Sequence, residues 1–323
     1  MDKDFNFKRA VTHSTIFHAD EVFGVALCRM INPEIQIIRT LEPEKYADDE
    51  TLIFDIGMGK YDHHQPDKAV RPITDGYYLD KKGLRQPIPY CAFGLLWRDF
   101  GHYLCSTHLS WERVDRELVI PIDKADNGVG TNPLSLMIKN MNPAWDRKSL
   151  KLPLVGVTYG LKSTSRELVD GIDFIDDAFN WAVMVAMSCL SATVAQAEAS
   201  VRALIGVSEA YLSSPSEKIL VMDKYMPYLD AIKSDKYKDC LFVVYPSQRG
   251  GWNVQTLPKE PGVLENRMDF PKDWLGHADA ERGIHFAHPS NFLIACDTKE
   301  QAIKVAEEAI DIGSSEATCV YSI

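Results

Sequence analysis

The sequence contains no Cys-x-x-Cys pair, no internal repeat, no long tract of one residue or one charge, and no stretch of about 18 uninterrupted apolar residues. Its seven cysteines, at positions 28, 91, 105, 189, 240, 296 and 319, are scattered and odd in number. That usage weighs against a disulfide framework and points to reduced thiols in a cytosolic protein, most of them small apolar core residues. The start, Met1-Asp2-Lys3-Asp4-Phe5, lacks the apolar stretch of a secretory signal. The expectation is therefore a cytoplasmic chain that neither enters nor crosses a membrane.

Positive charge is also short. Lys and Arg number 35 against 46 Asp and Glu, a net charge of -11. A protein that coats duplex DNA by neutralising phosphates needs a broad basic surface, so that mode is excluded. A nuclease is not, because a site holding two divalent cations carries its own positive charge and its acidic ligands add to the negative total.

What is present is a globular composition, 46% hydrophobic and 25% charged. A chain of 323 residues is too long for one ordinary core and suits two domains of roughly 150 residues. Arg9 to His13 reads as a short strand, Asp20 to Met30 as a helix, Glu34 to Thr40 as a strand, and Leu52-Ile53-Phe54 as an apolar strand ending in Asp55. Strand, helix, strand and strand-end carboxylate form the grammar of a parallel α/β sheet, where ligands sit beyond the carboxyl ends of the strands.

Residues 66 to 90, rich in Pro, Gly and charge, predict a mobile loop. Helices are expected over Tyr90 to Leu104 and Trp111 to Ala125, the latter placing Asp126 near a helix end before Gly128. Asp170 to Ile205 reads as one long helix or two joined, a bridge between domains. Beyond Ser213, strands at Lys218 to Met222, Cys240 to Tyr245, Trp252 to Leu257 and His285 to His288, then a helix over Lys299 to Ile310, predict a smaller α+β domain. The boundary is placed near residue 210, giving domains 1–210 and 211–323.

The residues that carry chemistry lie in the first domain. In Thr12-His13-Ser14-Thr15-Ile16-Phe17-His18-Ala19-Asp20-Glu21, an imidazole ends a strand while His18 and Asp20 open the next helix, and such groups can converge on a cation without distorting either element. Asp20 alone would read as a helix cap, and His13 as a core histidine. Asp62-His63-His64 cannot share one face of a strand or helix, so it suits a loop where one imidazole binds metal and the other meets substrate. Two ions about 3.5 to 4 Å apart need a bridging carboxylate, the place for Asp55, and further carboxylates such as Asp126 to balance charge.

This order of His13, Asp20, Asp55, Asp62-His63-His64 and Asp126 resembles the DHH phosphoesterase superfamily. Thr-His-x-x-x-Phe-His-x-Asp-Glu and Ala-Asp-Asn-Gly look like its melanocyte proliferating gene 1 branch. So do Met141-Asn142-Pro143-Ala144-Trp145, Trp252 to Glu260, and Ile284 to Phe292. The resemblance implies a DHH-type N-terminal parallel-sheet domain, with His13, His18 and Asp55 on one ion and Asp20, Asp55, His63 and Asp126 on the other. His64 would face substrate as the catalytic imidazole, and Asp62 would orient His63 through its other nitrogen.

The expected metal is Mn²⁺, although the branch's histidine at position 18 shifts preference towards Zn²⁺, Co²⁺ or Ni²⁺. For substrate, the second domain offers Arg249 beside Gly250-Gly251-Trp252, and, by the resemblance, His285, His288 and Ser290. Phe270 and Trp274 read as core, while Lys259, Arg267 and Arg282 sit among acids.

The activity so implied is a manganese-dependent 3'-to-5' exonuclease on RNA or short oligonucleotides. Residue chemistry alone supports phosphate-ester hydrolysis, which leaves a small phosphorylated metabolite, a cyclic dinucleotide or pyrophosphate as alternative substrates. A non-catalytic metal-binding protein and a single-metal hydrolase are further alternatives, and the chain has the option of forming an oligomer.

Overall fold

The computed structural model describes residues 4–143, 149–153, 163–167, 174–260 and 262–320, with 149–153, 163–167 and 316–320 described as backbone only. Ala144 and Trp145 of one quoted stretch, and the start of the expected long helix at Asp170, lie outside them. The fold is mixed α/β with a parallel sheet and helices. Two compact units divide the chain, Met1–Glu198 and Ala199–Ile323. The division falls inside one long helix; the sequence boundary near 210 lies further along it.

The first unit is built on β1 (Arg9–His13), β2 (Gln36–Thr40) and β3 (Thr51–Ile53), in the order β2-β1-β3 with both pairings parallel. Ala10, Val11 and Thr12 of the central strand are fully buried, as expected where both faces are covered. The connection from β1 to β2 is α1 (Ala19–Ile31), whose first ten residues are all buried, so it is a core helix rather than an amphipathic surface one. Gly24 makes this possible, because a Cβ there would lie 2.7 Å from the Phe54 ring.

Two expected helices are more broken than the periodicity suggests. Residues 90–104 give α2 (Ala92–Phe100) and a 3₁₀ turn, while 111–125 divide between α3 (His108–Val114), a π-helical turn over Asp115–Val119, and α4 (Ile120–Asp126). Pro121 stands in the first turn of α4, where its missing N–H costs nothing to that helix.

Residues 66–90, where a mobile loop is expected, contain regular structure. They carry β4 (Tyr77–Leu79) paired antiparallel with β5 (Arg85–Pro87), and they are anchored by the buried Arg71. Further along come α5 (Pro133–Met141) and an antiparallel pair, β6 (Ser149–Pro153) with β7 (Ser163–Glu167). The long helix is α6 (Ile175–Leu212). By length and composition it could cross a membrane, with an 18-residue stretch of mean hydropathy 1.5, yet Phe179, Ala182, Val183, Ala186 and Leu190 are buried in the first unit's core.

The second unit holds a five-stranded sheet. Its strands are β8 (Ile219–Val221), β9 (Phe242–Pro246), β10 (Trp252–Thr256), β11 (Ile284–Ala287) and β12 (Leu293–Cys296), ordered β11-β12-β10-β9-β8. Alternation sorts side chains to two cores. Ile219, Phe242 and Val244 pack with Phe270, Trp274 and α7 (Lys299–Val320), while Leu220, Val243 and Tyr245 pack with Val207 and Tyr237. Only β8 runs parallel to its neighbour.

Candidate metal centre

Two chain reversals and one helix end bring the chemistry of the first unit together. After β1, Ser14 and Thr15 turn the chain, Thr15 at φ 98°, and His18 caps α1. The His18 N–H donates to both carboxylate oxygens of Glu21, at 2.8 and 2.9 Å. After β3, Asp55 takes the left-handed conformation (φ 56°), which Asp tolerates better than most residues. The chain then doubles back through Gly57 and Met58, both also at positive φ, so that the Asp55 N–H donates to the Tyr61 carbonyl at 3.1 Å. That seven-residue return is what sets Asp62-His63-His64 beside Asp55. The third contribution, Asp126, ends α4.

The polar atoms then meet at narrow spacings. His13 Nε2 lies 3.1 Å from Glu21 Oε1 and 3.3 Å from Asp55 Oδ2. Nε2 of His63 lies 3.2 Å from Asp55 Oδ1, 3.4 Å from Asp20 Oδ2 and 3.4 Å from Asp126 Oδ2. Asp55 therefore faces one histidine with each of its two oxygens. His13 Nδ1 is 3.2 Å from the Ser14 carbonyl, which favours keeping a proton on Nδ1 and makes Nε2 the nitrogen that a cation would meet. His18, exposed, completes a cluster with His13 and Glu21 in which the ligand atoms lie within 4.8 Å of one another.

Such a concentration of carboxylates in a buried place distorts proton affinities. Burial works against a charge on His13 and His63, but the carboxylates of Asp55 and Glu21 facing the first, and of Asp20 and Asp55 facing the second, outweigh it and raise them to about 11 and about 10. Burial, reinforced by the Asp20 charge, pushes Asp126 up to about 8, and burial lifts Glu21 well above the usual carboxylate range. Asp20 goes the other way: burial opposes its ionisation, but the adjacent His63 holds it below its ordinary value.

The donor set suits divalent cations. Both oxygens of Asp20, with Asp55 Oδ1 and His63 Nδ1, are buried without a hydrogen-bond partner, an arrangement that is costly unless something else meets them. Ligand atoms about 2.1 Å from a common ion lie roughly 3.0 Å apart along an octahedral edge and roughly 3.4 Å apart along a tetrahedral one. The five imidazole-to-carboxylate distances fall in that window. Oxygen and nitrogen donors without thiolate fit manganese, zinc and related ions alike.

His64 stands at the rim of the cluster, its side chain 59% exposed and its Nδ1 2.8 Å from Asp62 Oδ1 and 3.6 Å from Asp55 Oδ1. With Asp55 and His63 it forms a further group whose ligand atoms lie within 4.8 Å of one another. Asp62 also accepts from the His64 and Met58 backbone N–H groups, at 3.0 and 2.7 Å. The expectation that Asp62 orients His63 is corrected here: it orients His64, because its carboxylate caps the turn on the His64 side and leaves His63 Nδ1 unpartnered. A pocket of about 1250 Å³ opens over the cluster, walled by His64, Lys68, Thr131, Ser135 and Lys139.

Three supports escaped the sequence reading. Glu21 had its signal in the spacing His18-x-x-Glu21, a capping arrangement. Asn142 clamps the His13–His18 turn by accepting from the Phe17 N–H (3.0 Å) and donating to the Phe17 carbonyl (2.8 Å). Arg71 is 2% exposed and spans Asp115, at 2.6 and 3.0 Å, and Asp123, at 2.6 Å. Asp123 also accepts the Cys91 N–H at 2.9 Å. No local pattern foretells contacts over such separations.

In the second unit Arg249 is exposed in the turn from β9 to β10, and Gly251 packs close under His285, whose Nδ1 is 3.2 Å from Asp297. His288 and Ser290 lie beyond the other end of β11, where the Ser290 N–H donates to His288 Nδ1 at 3.1 Å. Of the four expected substrate residues, His285, His288 and Ser290 thus belong to the edge hairpin of β11 and β12, and Arg249 to the turn between β9 and β10. Arg267 donates to the Ile232, Tyr237 and Cys240 carbonyls, and Arg282 pairs with Asp279 and Glu308, so both hold the fold.

Comparison with known proteins reaches nearly the whole chain. The family named for MYG1 exonuclease, described as "Uncharacterised protein family (UPF0160)", matches residues 9–310. MYG1 exonuclease of Homo sapiens is 25% identical over 346 aligned residues, 94% of this chain and 85% of that protein. The MYG1 protein of Schizosaccharomyces pombe is 25% identical, covering 95% of this chain and 98% of its own length. The MYG1 protein of Saccharomyces cerevisiae is 23% identical over 94% of this chain. No solved structure matches the chain.

Proposed function

Since the chain belongs to the MYG1 family, whose melanocyte proliferating gene 1 signature its motifs carry, we propose that it is a nuclease-like hydrolase that uses two divalent metal ions. Exonuclease is the name its mammalian relatives bear. The observation that carries the reading is Asp55, which turns one oxygen to His13 and the other to His63, as a carboxylate shared by two cations would. On this reading the first unit is a DHH-type catalytic domain, His13, His18 and Asp55 hold one ion, and Asp20, Asp55, His63 and Asp126 hold the other. Divalent ions there offset the carboxylate charge, acidify water and stabilise charge on phosphate oxygens.

The chain's own groups do the rest. Asp62 accepts from His64 Nδ1, which fixes the ring and leaves Nε2 to meet a phosphate oxygen or protonate the leaving oxygen. His64 lines the pocket with an exposed side chain, so it can reach substrate, whereas His63, at the same pocket, is buried with Nε2 turned to carboxylates. The proposed substrate is RNA or a short oligonucleotide cleaved 3' to 5' with Mn²⁺ in the cytoplasm, with Arg249, His285, His288 and Ser290 of the second unit as its candidate contacts.

The test is a panel of phosphate substrates with Mn²⁺, comparing parent with Asp126→Asn. Ladders from end-labelled RNA, abolished by the substitution, are the expected result. Turnover confined to a small phosphorylated metabolite would move the substrate assignment, and activity that survives Asp126→Asn would sink the site.

A further inference from the structure

We infer that Glu21 is a direct ligand of the ion that His13 and Asp55 hold, a fourth carboxylate in the centre, an assignment that rests on the two-metal reading above. Glu21 Oε1 stands 3.1 Å from His13 Nε2, and that nitrogen stands 3.3 Å from Asp55 Oδ2. These are the edges of one coordination polyhedron at ligand distances of about 2.1 Å. One imidazole N–H cannot point at both oxygens at once, and Nδ1 is the nitrogen that the Ser14 carbonyl engages.

Capping α1 does not account for this carboxylate. The His18 N–H needs one acceptor, and an exposed side chain would serve, yet Glu21 is fully buried and most of its lone-pair positions face away from water. Its neighbours make the same point independently: both Asp20 oxygens and Asp55 Oδ1 are buried and unpartnered, and Asp20, Glu21 and Asp55 offer oxygens within 4.8 Å of one another. Three buried acids this close call for concentrated positive charge beside them. Asp20, Asp55 and Asp126 leave two divalent ions one negative charge short, and Glu21 supplies it.

Glu21→Gln separates ligand from cap, because the amide keeps the carbonyl that accepts from the His18 N–H and removes the charge. Metal-free full-length chain is titrated with Mn²⁺ by calorimetry, and Co²⁺ absorption bands are recorded for parent and variant. The parent is expected to bind two ions. The variant should bind one as tightly, the other at least about 100-fold more weakly, with altered Co²⁺ bands and a metal-free Tm no lower than the parent's. Two ions at parental affinity with unchanged bands would overturn the assignment and leave the two-metal reading standing, whereas a parent that binds no ion overturns both. Should the variant not fold, an anomalous-scattering map of Mn²⁺-soaked parent crystals decides: a peak within about 2.3 Å of a Glu21 oxygen supports the assignment, and one held by His13 and Asp55 but remote from Glu21 refutes it.

Discussion

Asn142 holds Phe17 by both backbone groups, its Oδ1 accepting from the N–H at 3.0 Å and its Nδ2 donating to the carbonyl at 2.8 Å, across 125 positions of sequence. Phe17 sits between His13 and His18, so this amide fixes the turn that presents both imidazoles. Asn142→Ala leaves two buried backbone groups without partners and should cost about 1–3 kcal/mol of stability. Urea unfolding measures that, and metal titration should show weaker binding by the His13 and His18 ion with the other ion little changed.

Asp62 holds the His64 ring at 2.8 Å, and on the proposed reading His64 is the one of the two that meets substrate. His64→Ala should lower kcat by about 10²- to 10⁴-fold with metal content intact. The smaller effect belongs to Asp62→Asn, which keeps the shape and loses the charge that orients the ring. Loss of both ions in His64→Ala would mean that the imidazole is a ligand instead.

The pH dependence has a definite sign. His13 and His63 are raised from 6.5 to about 11 and about 10 in the folded metal-free chain, so they stabilise it fully below pH 6.5 and progressively less as pH rises through those values. Asp126, raised from 3.8 to about 8, loses its contribution between those limits in the same direction. The Tm of chelator-treated protein should therefore fall from pH 6 to pH 9. Metal binding must displace these protons, so apparent Mn²⁺ affinity should rise over the same interval, and proton release in calorimetry with buffers of different ionisation enthalpy would reveal it.

Arg71 braces α4 one turn before Asp126. Replacing it with Met strands Asp115 and Asp123 in the interior, at a cost of about 3–5 kcal/mol near neutral pH. Burial already lifts Asp123 to about 6 and raises Asp115, and without the guanidinium both would protonate more readily. The penalty should accordingly shrink at pH 5, and equal losses at pH 5 and pH 8 by urea unfolding would contradict this account.

Local sequence determined the parts that depend on short-range pattern. Apolar runs with turn residues gave the strands around His13 and Asp55, and the order of histidines and aspartates gave a donor set whose members share a pocket, because α/β crossovers gather strand ends on one edge. The break of residues 111–125 into α3, a π turn and α4, and the hairpin within 66–90, were decided by packing and by Arg71, which periodicity does not encode.

Which nitrogen meets which oxygen was likewise a tertiary matter. Asp62 faces His64 rather than His63, Glu21 comes within 3.1 Å of His13, and Asn142 reaches Phe17, since each depends on a left-handed turn or on a contact between distant residues. The sequence determined which donors exist; only the closed fold, by excluding water and bringing them to within about 3.4 Å, made them a cluster.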